Sequence, residues 1–175
     1  MVDLAERFKE CKLEIHPEKT KMVYCGRRSQ KETYQGSTSF VFLGYEFRTR
    51  SARDSRTGKI FGSFLPAISP KAKKAITQKI RELNVRNKSD LSLQQIAKWL
   101  NPMIRGWMEY YGKFTKSALN SVFRRLNGTL VRWSMKKYKK LANRPTYAAR
   151  HMGETARRHT ELFAHWKAGI TDVFI

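Results

Sequence analysis

Apolar positions along this chain change their period near residue 69. Before it they fall in short runs of alternating or aromatic character; after it they recur every three or four residues, the signature of amphipathic helices. In the first part, Leu4, Phe8 and Cys11 share one face of a helix expected over residues 3–12. Two strand-like runs follow, Leu13-Glu14-Ile15 and Met22-Val23-Tyr24-Cys25, either side of a polar turn at residues 16–21 in which Pro17 forbids helix continuation. Residues 26–39 are polar and rich in breakers, which predicts a surface loop. Residues 40–47 and 59–68 are β-branched and aromatic, and are expected to pair as a hairpin across the polar stretch 48–58.

In the second part, Ser69-Pro70 is a strong helix start, because Ser caps well and proline lacks an N–H that would have no partner in the first turn. Ala72, Ala75, Ile76, Ile80 and Leu83 mark the inward face, and Lys71, Lys73, Lys74, Lys79 and Arg81 fall largely outside it. Ser92-Leu93-Gln94-Gln95 fits a capping box for a second helix, in which Pro102 predicts a kink or restart and Gly112 a stop. A third helix is expected over residues 117–141 through Leu119, Val122, Phe123, Leu126, Leu130 and Trp133. Its other face carries Arg124, Arg132, Lys136, Lys139 and Lys140. The fold class expected is α+β, with boundaries at residues 1–67, 68–145 and a basic tail, 146–175.

Charge sharpens this picture. Among 175 residues, 36 are Lys or Arg and 14 are Asp or Glu, for a net charge of +22. Residues 69–175 hold 23 of the basic and 6 of the acidic side chains. Such a density opposes compaction unless a polyanion neutralises it, so nucleic acid is the expected partner and the C-terminal part the expected surface. No apolar run approaches the ~20 residues of a membrane span, and the start of the chain has no signal-type segment, which together predict a cytoplasmic address. Two cysteines without a Cys-x-x-Cys pair, and histidines dispersed at 16, 151, 159 and 165, give little support to a metal site or a disulfide. His165, beside Trp166, reads as a packing residue.

Three stretches carry a family resemblance. Leu13-Glu14-Ile15-His16-Pro17-Glu18-Lys19-Thr20-Lys21 resembles the palm motif that follows the catalytic Asp-Asp strand of group II intron reverse transcriptases, and Phe42-Leu43-Gly44-Tyr45-Glu46-Phe47 resembles their primer-grip hairpin. Residues 68–114, with Asn101-Pro102-Met103-Ile104-Arg105-Gly106-Trp107-Met108-Glu109-Tyr110-Tyr111, resemble the maturase-specific domain at the thumb position, and residues 162–169 resemble a tail common in bacterial members.

The resemblance implies the C-terminal part of an RNA-directed DNA polymerase: a partial palm, then a helical thumb that binds group II intron RNA or other structured RNA and grips a template-primer duplex. It also implies that the Mg²⁺-binding aspartates of the intact polymerase would precede Met1, since Asp3, Asp54, Asp90 and Asp172 sit in no such motif. No cofactor is then expected on this chain alone, and the chain alone is expected to be inactive as a polymerase. One alternative is half of a split reverse transcriptase, with fingers and palm on a separate chain. The other is an inert remnant of a mobile element.

On the same footing, Lys19 is a weak candidate general acid in an intact polymerase, and Phe42, Leu43, Gly44 and Tyr45 are candidates to meet a primer terminus, Gly44 by admitting a close backbone approach. Phe42 and Leu43 are also expected to cover the hairpin's core. Lys71, Lys74, Arg81, Arg105, Tyr110, Arg124, Arg132, Lys136, Lys139 and Lys140 are candidates to meet RNA. Trp107 and Tyr111, spaced i and i+4, are expected inside.

Overall fold

The computed structural model describes residues 2–18, 20, 22–25 and 36–171. It contains helices α1 (Val2–Glu10), α2 (Pro70–Glu82), α3 (Leu93–Tyr111), α4 (Asn120–Lys137), α5 (Pro145–Arg158) and α6 (Ala164–Lys167), with strands β1 (Ser39–Phe42), β2 (Tyr45–Arg53) and β3 (Ile60–Ile68). The fold is α+β. Two compact units are distinguished, one of Met1–Phe40 and Arg48–Phe64, the other of Val41–Phe47 and Leu65–Ile175.

The first unit holds α1 and the outer ends of the strands. The runs at 13–15 and 22–25 do not form the expected strands; residues 13–16 are irregular, and Val23 makes only an isolated parallel bridge to Ser37. An extended segment becomes a strand only when a neighbour supplies a full ladder, and among the described residues one rung is available. Asp54 closes the β2–β3 connection by accepting from the Arg56 N–H and the Thr57 hydroxyl, at 2.9 and 2.7 Å. Those bonds hold its carboxyl below the usual carboxylate range.

The strands form one antiparallel sheet in the order β1-β2-β3, but the hairpin differs from expectation. Residues 40–47 are not a single strand: Leu43 (φ 47°) and Gly44 (φ 79°) turn the chain between β1 and β2, the pair of left-handed residues that a two-residue type I′ turn requires. Strand β2 then runs on to Arg53 through residues expected as loop, and pairs with β3. Phe42 and Leu43 cover no core. They are 60% and 67% exposed, because β1 is an edge strand and Leu43 stands at the tip of the turn.

The second unit contains the core. Helix α4 lies at its centre, packed against α2, α5 and the 3₁₀ turn Val85–Asn87, while α3 packs against α6. Phe123, Leu126, Leu130 and Trp133 of α4 are fully buried among Ile76, Ile80, Ile96, Leu100 and Ile104. Each large aliphatic side chain removed from water in this way contributes roughly 1.5–3 kcal/mol. The predicted caps form: Ser69 Oγ accepts from Ala72 N–H, and Ser92 with Gln95 completes a reciprocal capping box.

Two expectations change in this unit. Helix α3 runs unbroken through Pro102; the Lys98 carbonyl that loses its partner lies on an exposed stretch of helix, where water can satisfy it. The third helix is shorter than residues 117–141, with 3₁₀ turns Lys116–Leu119 and Lys139–Leu141 flanking α4 and extended Tyr138 breaking it. In their described part, residues 146–175 contribute Ala148, Met152, Phe163 and Trp166 to the same core as α4.

Candidate nucleic-acid interface

Inward and outward faces of the helices divide by chemistry. With Ala72, Ile76 and Ile80 buried, α2 turns Lys71, Lys74, Lys79 and Arg81 to solvent. The same holds on α4, where Val122, Leu126 and Leu130 are buried and Arg124, Arg125 and Arg132 are exposed. Lys139 and Lys140 are exposed on the turn that follows, and Arg105 is exposed on α3. Few acids offset these cations: the described ion pairs include Arg150–Glu154 and Lys167–Glu161, both exposed and worth little to stability.

Where α2 and α4 pack together they leave a groove of about 530 Å³. Lys73, Lys74 and Arg81 line it from α2 and Arg125 from α4; Thr77, Gln78 and Ser121 stand between them, over Val122. None of its lining side chains is acidic. Of this set, sequence periodicity alone points to Lys74 and Arg81 as RNA-binding candidates. The others carry a readable signal on each helix, Lys73-Thr77-Arg81 and Ser121-Arg125 at i, i+4 spacing, but not the packing that brings the two rows together.

Some candidate residues have internal duties. The Lys136 ammonium lies 2.7 Å from Asn87 Oδ1, and neighbouring Lys137 donates to the Ser89 carbonyl at 2.8 Å; with Trp133 Nε1 bonded to the Lys88 carbonyl, they tie the 85–90 turn to α4. Tyr110 is 48% exposed, yet its ring packs on Tyr45 and its hydroxyl donates to the Leu43 carbonyl at 2.9 Å. Tyr45 is buried, donates to the Tyr110 carbonyl, and meets Tyr111 and Phe114 edge-on or tilted. Burial and the neighbouring phenols raise the Tyr45 and Tyr111 hydroxyls above the ordinary tyrosine value, so both stay protonated donors.

Gly44 sits inside this tyrosine cluster. A β-carbon there would stand 3.1 Å from Tyr111 Oη, so the close approach at this glycine is made by the protein's own ring. Its carbonyl accepts from Ser69 N–H at 2.8 Å, joining the turn to the start of α2. Trp107 and Tyr111 are partly buried against the core. Lys19 lies outside the described residues. Among the described residues, no group of three His, Cys, Asp or Glu side chains is placed to hold a metal ion.

A helical core presenting basic faces is a common device, and comparison with known families narrows it. Residues 73–152 match the family model of the group II intron maturase-specific domain. The match begins at the groove residue Lys73 and runs through α3 and α4 into α5. Over that stretch the chain is similar to group II intron maturases. Searches of curated proteins and of solved structures returned no match. The maturase-like segment is also the charged one, holding 19 Lys or Arg against 3 Asp or Glu. No helix among the described residues is long and apolar enough to cross a membrane.

Proposed function

We propose that this chain binds structured group II intron RNA through the basic faces of α2 and α4 and assists the splicing of that RNA in the cytoplasm. The observation that carries the reading is a coincidence: the residues that match the maturase-specific domain are those whose charged side chains are almost all cationic. Phosphate contacts supply most of the affinity in such a surface, and they position the RNA without reading its sequence. In an intact reverse transcriptase, with Mg²⁺ held by aspartates elsewhere, the same surface would grip template and primer. The test is a splicing assay on a group II intron transcript, with and without the purified chain. Faster or more complete splicing with the chain is the expected result. An unchanged rate under conditions where the chain is fully bound would refute the splicing role.

A further inference from the structure

The groove between α2 and α4 contains a mixture that a simple anion pocket does not need. We propose that it seats a ribose-phosphate strand and distinguishes RNA from DNA, with cations on the phosphates and neutral side chains on the 2′-hydroxyls. The proposal deepens the RNA-binding reading above and rests on it.

Size is the first argument. Lys73 and Arg81 are eight residues apart on α2, so they stand about 12 Å apart along the helix axis. With Lys74 between them and Arg125 opposite, the cations are spread along a groove of about 530 Å³, more than one phosphate group occupies. A run of backbone phosphates matches that spread. A single free anion would leave most of it empty.

The neutral side chains supply the second argument. Gln78 donates one of its two Nε2 hydrogens to Glu82 Oε1 at 3.2 Å, which engages part of its donor capacity and leaves its carbonyl oxygen to accept from a ligand. A carbonyl oxygen repels phosphate and accepts only from a donor. Along a nucleic-acid backbone the sugar offers such a donor only when it is ribose, through the 2′-hydroxyl. The Thr77 and Ser121 hydroxyls, one from each wall, can donate to phosphate oxygens or accept from the same 2′-hydroxyls. A groove built for phosphate alone would gain from cations at these three positions.

The experiment uses the full purified chain and two labelled hairpins of one sequence, one RNA and one DNA. Neutralising the groove (K73Q/K74Q/R81Q/R125Q) is expected to lower the slope of log affinity against log salt by about 3, at roughly 0.7–0.9 for each phosphate no longer neutralised. Neutralising four cations outside it (K98Q/K113Q/R150Q/R158Q) is expected to change the slope by less than half as much. Replacing the neutral groups (T77V/Q78L/S121A) is expected to weaken RNA binding several-fold and DNA binding by a smaller factor, so that the RNA-to-DNA affinity ratio falls. On the wild-type chain, acylation of Lys73 and Lys74 is expected to slow when RNA is bound, a readout that no misfolded variant can confuse. Equal slopes for the two neutralised variants, an unchanged RNA-to-DNA ratio in the triple variant, or unprotected lysines would each overturn the proposal. A wild-type chain that binds neither hairpin would instead defeat the RNA-binding reading itself.

Discussion

Asn127 Oδ1 lies 2.7 Å from Nε2 of His165, so a buried amide of α4 holds a buried imidazole of α6. The same oxygen accepts from Trp166 Nε1 at 3.1 Å, and Phe123 stacks on the His165 ring. The carbonyl must accept, which fixes the Nε2–H tautomer and leaves Nδ1 without a partner among the described residues. The imidazole is therefore a neutral structural group, and burial lowers its pKa to about 3 from the ordinary 6.5.

That shift sets an acid limit on stability. The unfolded chain takes up the His165 proton below about pH 6.5 and the folded chain does not until about pH 3, so the stabilisation is complete above 6.5 and is lost as pH falls between those values. The slope is at most about 1.4 kcal/mol per pH unit. Urea unfolding of wild type and His165→Gln at pH 7.5, 6, 5 and 4 would show it, the stability gap between the two shrinking below pH 6.5. A gap that stays constant down to pH 4 would contradict the assignment.

Asn101 performs a similar duty at the other end of α6. Its Nδ2 donates to the Leu162 carbonyl and its Oδ1 accepts from Ala164 N–H, both at 2.9 Å, which clamps the start of α6 to the middle of α3. Asn101→Ala would strand both backbone groups in a half-buried place and is expected to cost about 1–3 kcal/mol. Hydrogen exchange should then quicken at residues 162–170 before it does in α4. Uniform acceleration across the helices would show that the clamp is not local.

The tyrosine cluster at the β1–β2 turn gives a third expectation. Gly44→Ala would place a β-carbon against Tyr111 in a left-handed backbone, with an expected loss of about 1–2 kcal/mol. Tyr110→Phe removes the hydroxyl bonded to Leu43 but keeps the ring on Tyr45, and its expected cost is about 0.5–1.5 kcal/mol. Thermal melts of the two variants should rank them in that order. The reverse order would mean that the hydroxyl, and not the glycine, holds the turn.

These interactions mark where the sequence was legible. Helix starts at Ser69 and Ser92 were readable because a cap and its partner lie three residues apart, within one local pattern. The Leu43-Gly44 turn was not, since Leu is a poor left-handed residue and the conformation is held from a distance by Tyr110 and Ser69. Asn127 was hidden as well: a polar residue on an apolar helix face reveals its purpose only through His165 and Trp166, nearly forty positions away. The cationic faces of α2 and α4 were visible as periodicities, whereas the groove with Thr77, Gln78 and Ser121 depends on how the two helices pack.

The most direct test of the RNA-binding account is the salt dependence of affinity for a group II intron transcript. Across 50 to 200 mM salt the wild-type chain is expected to lose about 10³-fold or more in affinity, as a protein making six or more phosphate contacts does. An affinity that is flat across that range would contradict the account, because a surface carrying 19 basic and 3 acidic side chains over residues 73–152 cannot hold a polyanion electrostatically without releasing counterions.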